Sequence, residues 1–199
     1  MVQLLDLEKY AKDNNVPIML PEGIEFLLDY IKKNNVKSIL EIGTAIGYSS
    51  IRMALLADDI KVTTIERDLD RYNEAIKNIA DFGLQKQITV IKADAFDVDL
   101  DETYDLIFID AAKSQYIKFF EKFKHNLRAD GTIVSDNLAF HGLVENKSGE
   151  ILSRNVRGLV RKINEYIDFL KNNDEFVTTF YSIGDGIGVS IRKDKVRNE

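Results

Sequence analysis

Residues 41–49 of the chain, which read Glu-Ile-Gly-Thr-Ala-Ile-Gly-Tyr-Ser, have the composition of a ligand-binding turn. They follow an apolar run, Val36–Leu40, that predicts a strand, and they lead into a predicted helix. Glycines at such a junction leave backbone N–H groups and the positive end of the helix open to a ligand. A dinucleotide site would need a glycine where this chain has Ala45. Glu41 would repel a pyrophosphate but can hold an ammonium group, such as the one on the methionine part of S-adenosylmethionine.

Two further acids fit a nucleoside at the same edge of the sheet. The predicted strand Lys61–Ile65 ends at Glu66, where folds of this type place a carboxylate on ribose hydroxyls. Asp94 ends the next predicted strand and can accept a hydrogen bond from an adenine amino group. The alternative for Glu41 and Glu66 is an ordinary strand–helix turn with two surface acids, and the alternative for Asp94 is a carboxylate that caps the next helix. Glu41 and Glu66 both stand at strand ends, which favours the cofactor site.

Oxygen ligands for a metal follow the next two predicted strands. Asp110 ends one of them, and Asp136 and Asn137 end the other. Strands joined by a single right-handed crossover are usually neighbours, so these side chains are expected to converge. Oxygen ligands without Cys or His suit a hard cation, Mg²⁺ first and then Mn²⁺ or Ca²⁺. The alternative for each residue is a side chain that caps the following helix.

Lys113 lies three residues after Asp110, on the same predicted loop. A lysine beside a bound cation loses its proton more readily and can serve as a general base. A solvated loop lysine is the alternative. His125 is predicted at the surface, and His141 lies either at the mouth of the substrate site or in an ordinary loop.

Apolar periodicity alternates between helical and extended segments, which predicts a parallel α/β sheet covered on both faces. Apolar residues on both faces predict that the strands 88–93, 104–109 and 132–135 are central. The tail predicts an antiparallel hairpin at the sheet edge, with its turn at residues 184–186. The predicted helices are 4–12, 24–33, 51–56, 69–80 and 116–127, and the hairpin strands are 176–182 and 187–191.

Composition limits the remaining possibilities. The 199 residues, 45% of them hydrophobic, fit one core and one domain. The absence of cysteine excludes disulfides, thiol nucleophiles and thiolate metal sites. Without a basic leader or a bilayer-length apolar run, a soluble cytoplasmic protein is expected. The net charge of −6 argues against a nucleic-acid partner, although the distribution of charge matters more than its sum.

Together these motifs resemble the metal-dependent O-methyltransferase family that includes catechol and caffeoyl-CoA methyltransferases, over about residues 17–191. The resemblance implies a Rossmann-like class I methyltransferase fold, with a seven-stranded sheet, an antiparallel last hairpin and helices of residues 1–35 over the cofactor site. It also implies S-adenosylmethionine, a divalent metal and, as in many members, a homodimer. By this resemblance, Glu41, Gly43 and Ser49 would bind the methionine moiety, Glu66 the ribose, and Asp94 and Ala95 the adenine. Met19 and Asp110 would also contact the cofactor. Asp110, Asp136 and Asn137 would bind the metal, and Lys113 would be the base.

The chain departs from the catechol methyltransferases around the acceptor site. It has no tryptophan, Ala112 precedes Lys113, and Phe140 and His141 follow the metal loop. The acid that holds the second catechol hydroxyl is expected to be missing, with Thr179 near its position. A larger acceptor than free catechol is therefore predicted.

A basic stripe follows the metal loop. Arg154, Arg157 and Arg161 recur at helical spacing with Lys162 on their flank, opposite an apolar face predicted to pack on the sheet. The stripe suits a polyanion, or else it is a solvated face. This segment most resembles the bacterial branch that methylates 5-hydroxyuridine at the tRNA wobble position. The resemblance implies a tRNA anticodon stem-loop as partner. The alternatives are a phenol or CoA-linked catechol as substrate, and a tRNA-binding module without catalysis.

Overall fold

The computed structural model describes residues 4–139 and 154–196 and contains one seven-stranded sheet. The strand order is β3-β2-β1-β4-β5-β7-β6. The first five strands pair in parallel, and the C-terminal hairpin joins them through antiparallel pairing of its second strand with β5. This arrangement confirms the predicted Rossmann-like fold. In chain order the elements are α1 Leu4–Asp13, α2 Pro21–Lys33, β1 Ser38–Ile42, α3 Tyr48–Ala54, β2 Lys61–Glu66, α4 Leu69–Asp81, β3 Ile88–Lys92, β4 Tyr104–Ile109, α5 Tyr116–Phe123, β5 Leu127–Ser135, α6 Arg154–Lys171, β6 Phe176–Tyr181, β7 Ile187–Arg192 and α7 Lys193–Val196.

Two apolar layers, one on each face of the sheet, bury its central strands. Residues 106–109 of β4 are fully buried, as their unbroken apolar sequence predicts. The prediction that residues 88–93 form a central strand is wrong, because β3 is an edge strand. Val90 and Ile91 of β3 are half-buried and pack into opposite apolar layers. Apolar residues on both faces of this strand therefore show that helices cover both faces, and they do not show that a neighbouring strand lies on each side.

The crossover between β4 and β5 ends earlier than predicted. Helix α5 stops at Phe123 and a short 3-10 turn, Lys124–Asn126, leads into β5. Exposed His125 lies in this turn, at the surface as predicted. The sequence hides the start of β5 because residues 128–130 are exposed and mostly polar, unlike the buried 131–135.

Helices α1 and α2 are fastened over α3. The Tyr48 hydroxyl donates to Glu8 at 2.7 Å, and Arg52 donates to that hydroxyl at 3.0 Å. Arg52 also forms an ion pair with Glu25 of α2. The loop of residues 17–19, which joins α1 to α2, lines the same cavity as the turn that follows β1. None of the helices within the described residues is long and apolar enough to cross a membrane.

Candidate active site

A cavity of about 440 Å³ opens at the carboxyl ends of β1 to β4, where open α/β sheets bind ligands. Most residues predicted to contact the cofactor line it. They are Met19, Gly43, Ser49, Glu66, Asp94, Ala95 and Asp110.

The turn between β1 and α3 is shaped by left-handed backbone conformations at Gly43, Ala45 and Gly47, with φ of 106°, 47° and 85°. A Cβ on Gly43 would lie 2.1 Å from the carbonyl oxygen of Asp110. Only glycine therefore permits the ends of β1 and β4 to approach this closely. Asn78 of α4 holds the turn from outside by donating to the Ile46 carbonyl at 2.9 Å.

Glu41 lies beneath the cavity and does not line it. The hydroxyls of Ser49, Ser50 and Thr64 all donate to its carboxylate, Thr64 at 2.7 Å. Burial raises the pKa of Glu41 to about 7, even though the hydroxyl donors oppose the shift. Ser49 touches both the carboxylate and the cavity, so it connects Glu41 to any ligand above.

Glu66 is held in place by the backbone. Its two carboxylate oxygens accept hydrogen bonds from the N–H groups of Ala45 and Asp68, at 2.9 Å and 2.8 Å. A carboxylate oxygen can accept more than one hydrogen bond, so Glu66 can still receive ribose hydroxyls. Sequence spacing predicts that Glu66 lies at the end of β2, but it does not predict that Glu66 holds the glycine turn through the Ala45 N–H.

Asp94 performs the capping role considered as the alternative for such acids. Its Oδ1 accepts from the backbone N–H of Phe96 at 3.0 Å and caps the short turn Ala95–Asp97. Arg67 approaches its Oδ2 at 3.5 Å. Asp94 nevertheless lines the cavity, so capping and ligand contact are compatible.

The structure brings Asp110, Asp136 and Asn137 together, because β4 and β5 pair in parallel with Ile109 opposite Ser135. Within the described residues, the Oδ1 atoms of Asp136 and Asn137 are buried and have no hydrogen-bond partner. Burial raises the pKa of both carboxyl groups, that of Asp136 to about 8, and their mutual repulsion adds to the Asp136 shift. Two carboxyl groups and an amide oxygen thus lie near one another, and a bound cation would lower the electrostatic cost of this arrangement.

Two buried tyrosines support the loop after β5. The Tyr116 hydroxyl donates to the Asp136 carbonyl at 3.2 Å, and Tyr166 shares a hydrogen bond of 2.7 Å with Ser135. Their rings meet edge-to-face with centroids 5.2 Å apart. Sequence analysis missed both, and the only signal is a tyrosine on the apolar face of a predicted helix.

Asp185 is a third acidic residue near Asp110 and Asp136 that the sequence does not indicate. It is buried in the β6–β7 turn, and its charge adds to the rise in the pKa of Asp110 and of Asp136. Within residues 4–139 and 154–196, no three His, Cys, Asp or Glu side chains cluster closely enough to hold a metal. The candidate ligand set is therefore the predicted one, with Asn137 as its third member and Asp185 outside it.

Lys113 begins a 3-10 turn, Lys113–Gln115, and lines the cavity half-buried. Its positive charge lowers the pKa of both Asp110 and Asp136, although burial outweighs this effect. The ammonium group therefore lies beside the acids, as a base acting at this site would.

The predicted basic stripe lies on α6. Arg154, Arg157 and Arg161 are exposed, and Lys162 is half-buried. Glu165 pairs with Arg161 at 3.6 Å and with Lys162 at 2.7 Å. The opposite face packs inward as predicted, most deeply through Ile163 and Leu170.

A groove of about 190 Å³ runs between the Lys113 turn and α6, with Lys113, Lys162 and Glu165 on its walls. Lys162, on the flank of the basic stripe, therefore lies beside this groove, whereas none of the three arginines is among the residues that line it. Phe140 and His141 lie outside the described residues, so the choice between a substrate-mouth and an ordinary-loop position for His141 stays open.

The chain matches the O-methyltransferase family model over residues 2–193. It is 29% identical to a caffeoyl-CoA O-methyltransferase of Populus kitakamiensis, covering 90% of this chain and 80% of that one.

Solved structures give the same likeness. A Staphylococcus aureus protein assigned provisionally to the caffeoyl-CoA O-methyltransferases superposes with a TM-score of 0.90 at 40% identity, covering 96% of this chain and 93% of that one. An O-methyltransferase from Bacillus cereus in complex with S-adenosylhomocysteine (SAH) gives a TM-score of 0.80 at 25% identity, covering 96% and 90%.

The raised pKa of Glu41 predicts pH-dependent binding of SAH. Below pH 7 Glu41 is mostly protonated, and a bound ammonium group favours its carboxylate, so binding releases a proton. Affinity measured by calorimetry should therefore fall roughly tenfold from pH 8 to pH 6. Glu41→Gln should bind SAH weakly with a flatter profile, and Glu74→Gln, at a half-buried residue of α4 that pairs with Lys77 and does not line the cavity, should behave as wild type. An affinity for wild type that is constant over this range would contradict the role of Glu41.

Proposed function

Because the chain belongs to the O-methyltransferase family, we propose that it methylates one of two neighbouring oxygens on a catechol-like ring, assisted by a divalent cation. S-adenosylmethionine is the methyl donor. The cation and the acceptor class are the proposed parts. The observation that carries the proposal is that Asp110 and Asn137 line the cavity with Asp136 buried next to Asn137, and that the Oδ1 atoms of Asp136 and Asn137 have no hydrogen-bond partner among the described residues.

These residues fit a hard divalent cation. All three offer oxygen atoms and no sulfur or nitrogen, which suits Mg²⁺ and then Mn²⁺ or Ca²⁺. The raised pKa of Asp110 and of Asp136 reports the cost of placing both charges in one buried site. A cation held there supplies a Lewis acid that orients two adjacent acceptor oxygens and makes a hydroxyl more acidic.

The rest of the cavity fits the methyl donor. Ser49, over the buried Glu41, would receive the ammonium end, and Glu66 would receive the ribose hydroxyls. Ala95 and the neighbouring aromatic wall would receive the adenine. The donor would thus lie across the ends of β1, β2 and β3, with its methyl group toward Asp110 and Lys113.

Lys113 is the proposed base. It lines the cavity, and its charge acts on both acids of the candidate metal site. In its neutral form its Nζ would accept the hydroxyl proton of the acceptor. The acceptor oxygen would then form its bond to the methyl carbon as the sulfur–carbon bond breaks. The chain's task is largely to position the reacting groups.

The acceptor is proposed to be a small phenol with adjacent oxygens, such as a caffeoyl-CoA-like or flavonoid-like catechol. The likeness to a plant caffeoyl-CoA O-methyltransferase supports this class. Ala112, exposed beside Lys113, leaves more room than an aromatic gatekeeper would.

Replacement of Asp136 tests the cation site. Asp136→Asn should lower methyl transfer to a catechol acid by about 10²-fold or more while SAH affinity changes little, because the donor site is built from β1 to β3. Asp130→Asn, exposed on the same strand, is the matched control. EDTA should inactivate wild type, and added Mg²⁺ should restore it. Full activity of wild type in excess EDTA would refute the metal assignment.

Replacement of Lys113 tests the base. Lys113→Met keeps much of the stem and removes the proton acceptor, so kcat should fall by about 10²-fold with little change in SAH binding. Activity should recover partly at higher pH, where the acceptor ionises unaided. Lys118→Met, exposed on the next helix, is the control. A wild-type rate for Lys113→Met at neutral pH would make Lys113 a solvated lysine.

A second candidate substrate is 5-hydroxyuridine in a tRNA anticodon loop. The groove that joins Lys113 to the basic side of α6 favours it, since an extended polyanion could place its reactive base at the cavity and its phosphates along the arginines. The 5-hydroxyl and 4-carbonyl oxygens of this base are adjacent, as in catechol. Loop bases are already unpaired, so one could be presented at little cost.

Replacement of the stripe distinguishes the two acceptors. Arg154→Ala/Arg157→Ala/Arg161→Ala should leave SAH binding and Tm nearly unchanged, because these side chains are exposed. If tRNA is the substrate, binding of an anticodon stem-loop should weaken. Each lost phosphate contact should also reduce the steepness of the plot of log K against log salt concentration by about 0.7 to 0.9. Lys12→Ala/Lys32→Ala/Lys33→Ala, at exposed positions of α1 and α2, also removes three positive charges and controls for net charge. Unchanged RNA affinity and salt slope would eliminate tRNA and leave the phenolic acceptor.

A further inference from the structure

Gln115 is a half-buried polar residue that the proposed reaction does not use. It ends the 3-10 turn that starts at Lys113, and it lines the cavity. Its Oε1 is buried and has no hydrogen-bond partner among the described residues. A buried carbonyl oxygen without a donor is costly, so its position calls for a ligand that brings an N–H group.

The surroundings of Gln115 indicate which part of a ligand that would be. One turn along α5, Phe119 stacks on Phe96 with centroids 4.9 Å apart and planes 14° from parallel. Both rings line the same cavity as Gln115. Helix α5 packs on the turn Ala95–Asp97, which comes directly after β3. The helix therefore forms the wall of the cavity on the β3 side. A flat apolar wall beside one unpaired acceptor fits a purine that carries an amino group.

Asp94 is the competing acceptor, because the sequence predicts that it receives the adenine amino group. Its oxygens already have partners, the Phe96 N–H at 3.0 Å and Arg67 at 3.5 Å, although a carboxylate oxygen can accept a further hydrogen bond. Gln115 instead presents an acceptor that the described chain leaves unpaired.

We propose that Gln115 determines specificity for the adenine of the methyl donor, with its Oε1 accepting a hydrogen bond from the exocyclic amino group. The carboxamide can present a donor to the adjacent ring nitrogen, as glutamine does in recognising adenine elsewhere. This inference rests on S-adenosylmethionine as donor and is independent of the acceptor and the cation.

Calorimetry with SAH and its deaminated analogue, S-inosylhomocysteine, tests the proposal. The analogue replaces the amino group with a carbonyl, which would face Oε1 without a hydrogen. Wild type should prefer SAH by about 10- to 100-fold. Gln115→Met should weaken SAH binding and reduce the preference to within about threefold, without a change in Tm. Gln115→Ala provides the same test if the methionine variant does not fold.

Two controls make the result decisive. Gln85→Met, exposed and remote from the cavity lining, should match wild type. Asp94→Asn should retain the preference for SAH. The proposal is wrong if Gln115→Met keeps the full preference, or if Asp94→Asn abolishes it. Because no acceptor or cation is present, failure here would leave the proposed methyl-transfer reaction standing.

Discussion

The crowding of acids where β4 and β5 end is the constraint on which the candidate site depends. Parallel pairing places Asp110 beside Asp136, and burial together with their repulsion raises the pKa of Asp136 to about 8. The hydrogen bonds of Tyr116 with the Asp136 carbonyl and of Tyr166 with Ser135 restrict the movement of the chain at the end of β5, and so keep Asp136 near Asp110. A cation bound here would stabilise the two closely placed carboxylates. The same cation could orient two adjacent oxygens of an acceptor.

The donor side of the cavity is built on related logic. Glu41 is buried under three hydroxyl donors and Glu66 is bound by two backbone N–H groups, so both carboxylates are positioned before a ligand arrives. Because residue 43 is a glycine, the turn that follows β1 can approach the Asp110 carbonyl, so the proposed donor site and the proposed cation ligands Asp110 and Asn137 share one cavity. The separation of roles explains why removal of a metal ligand is expected to spare donor binding.

Sequence alone predicts features set by local spacing. Acids directly after apolar strands, such as Asp110 and Asp136, follow from the rule that parallel strands present their carboxyl ends at one edge. Sequence could not show that Asp185 returns to this edge, because that depends on antiparallel insertion of β7 beside β5. It likewise could not show that β3 is an edge strand or that Gln115 keeps an unpaired oxygen, since both depend on tertiary neighbours. The homodimer implied by the family resemblance stays a prediction.

The central claim is that Asp110, Asp136 and Asn137 hold a divalent cation next to the methyl acceptor. The most direct measurement is a crystal structure with Mn²⁺, SAH and a catechol acid, using the anomalous signal of manganese. The account predicts a single strong peak within about 2.0–2.4 Å of oxygen atoms from all three residues, with both catechol oxygens completing the coordination. A catechol bound beside Lys113 with no anomalous peak at these residues would contradict it.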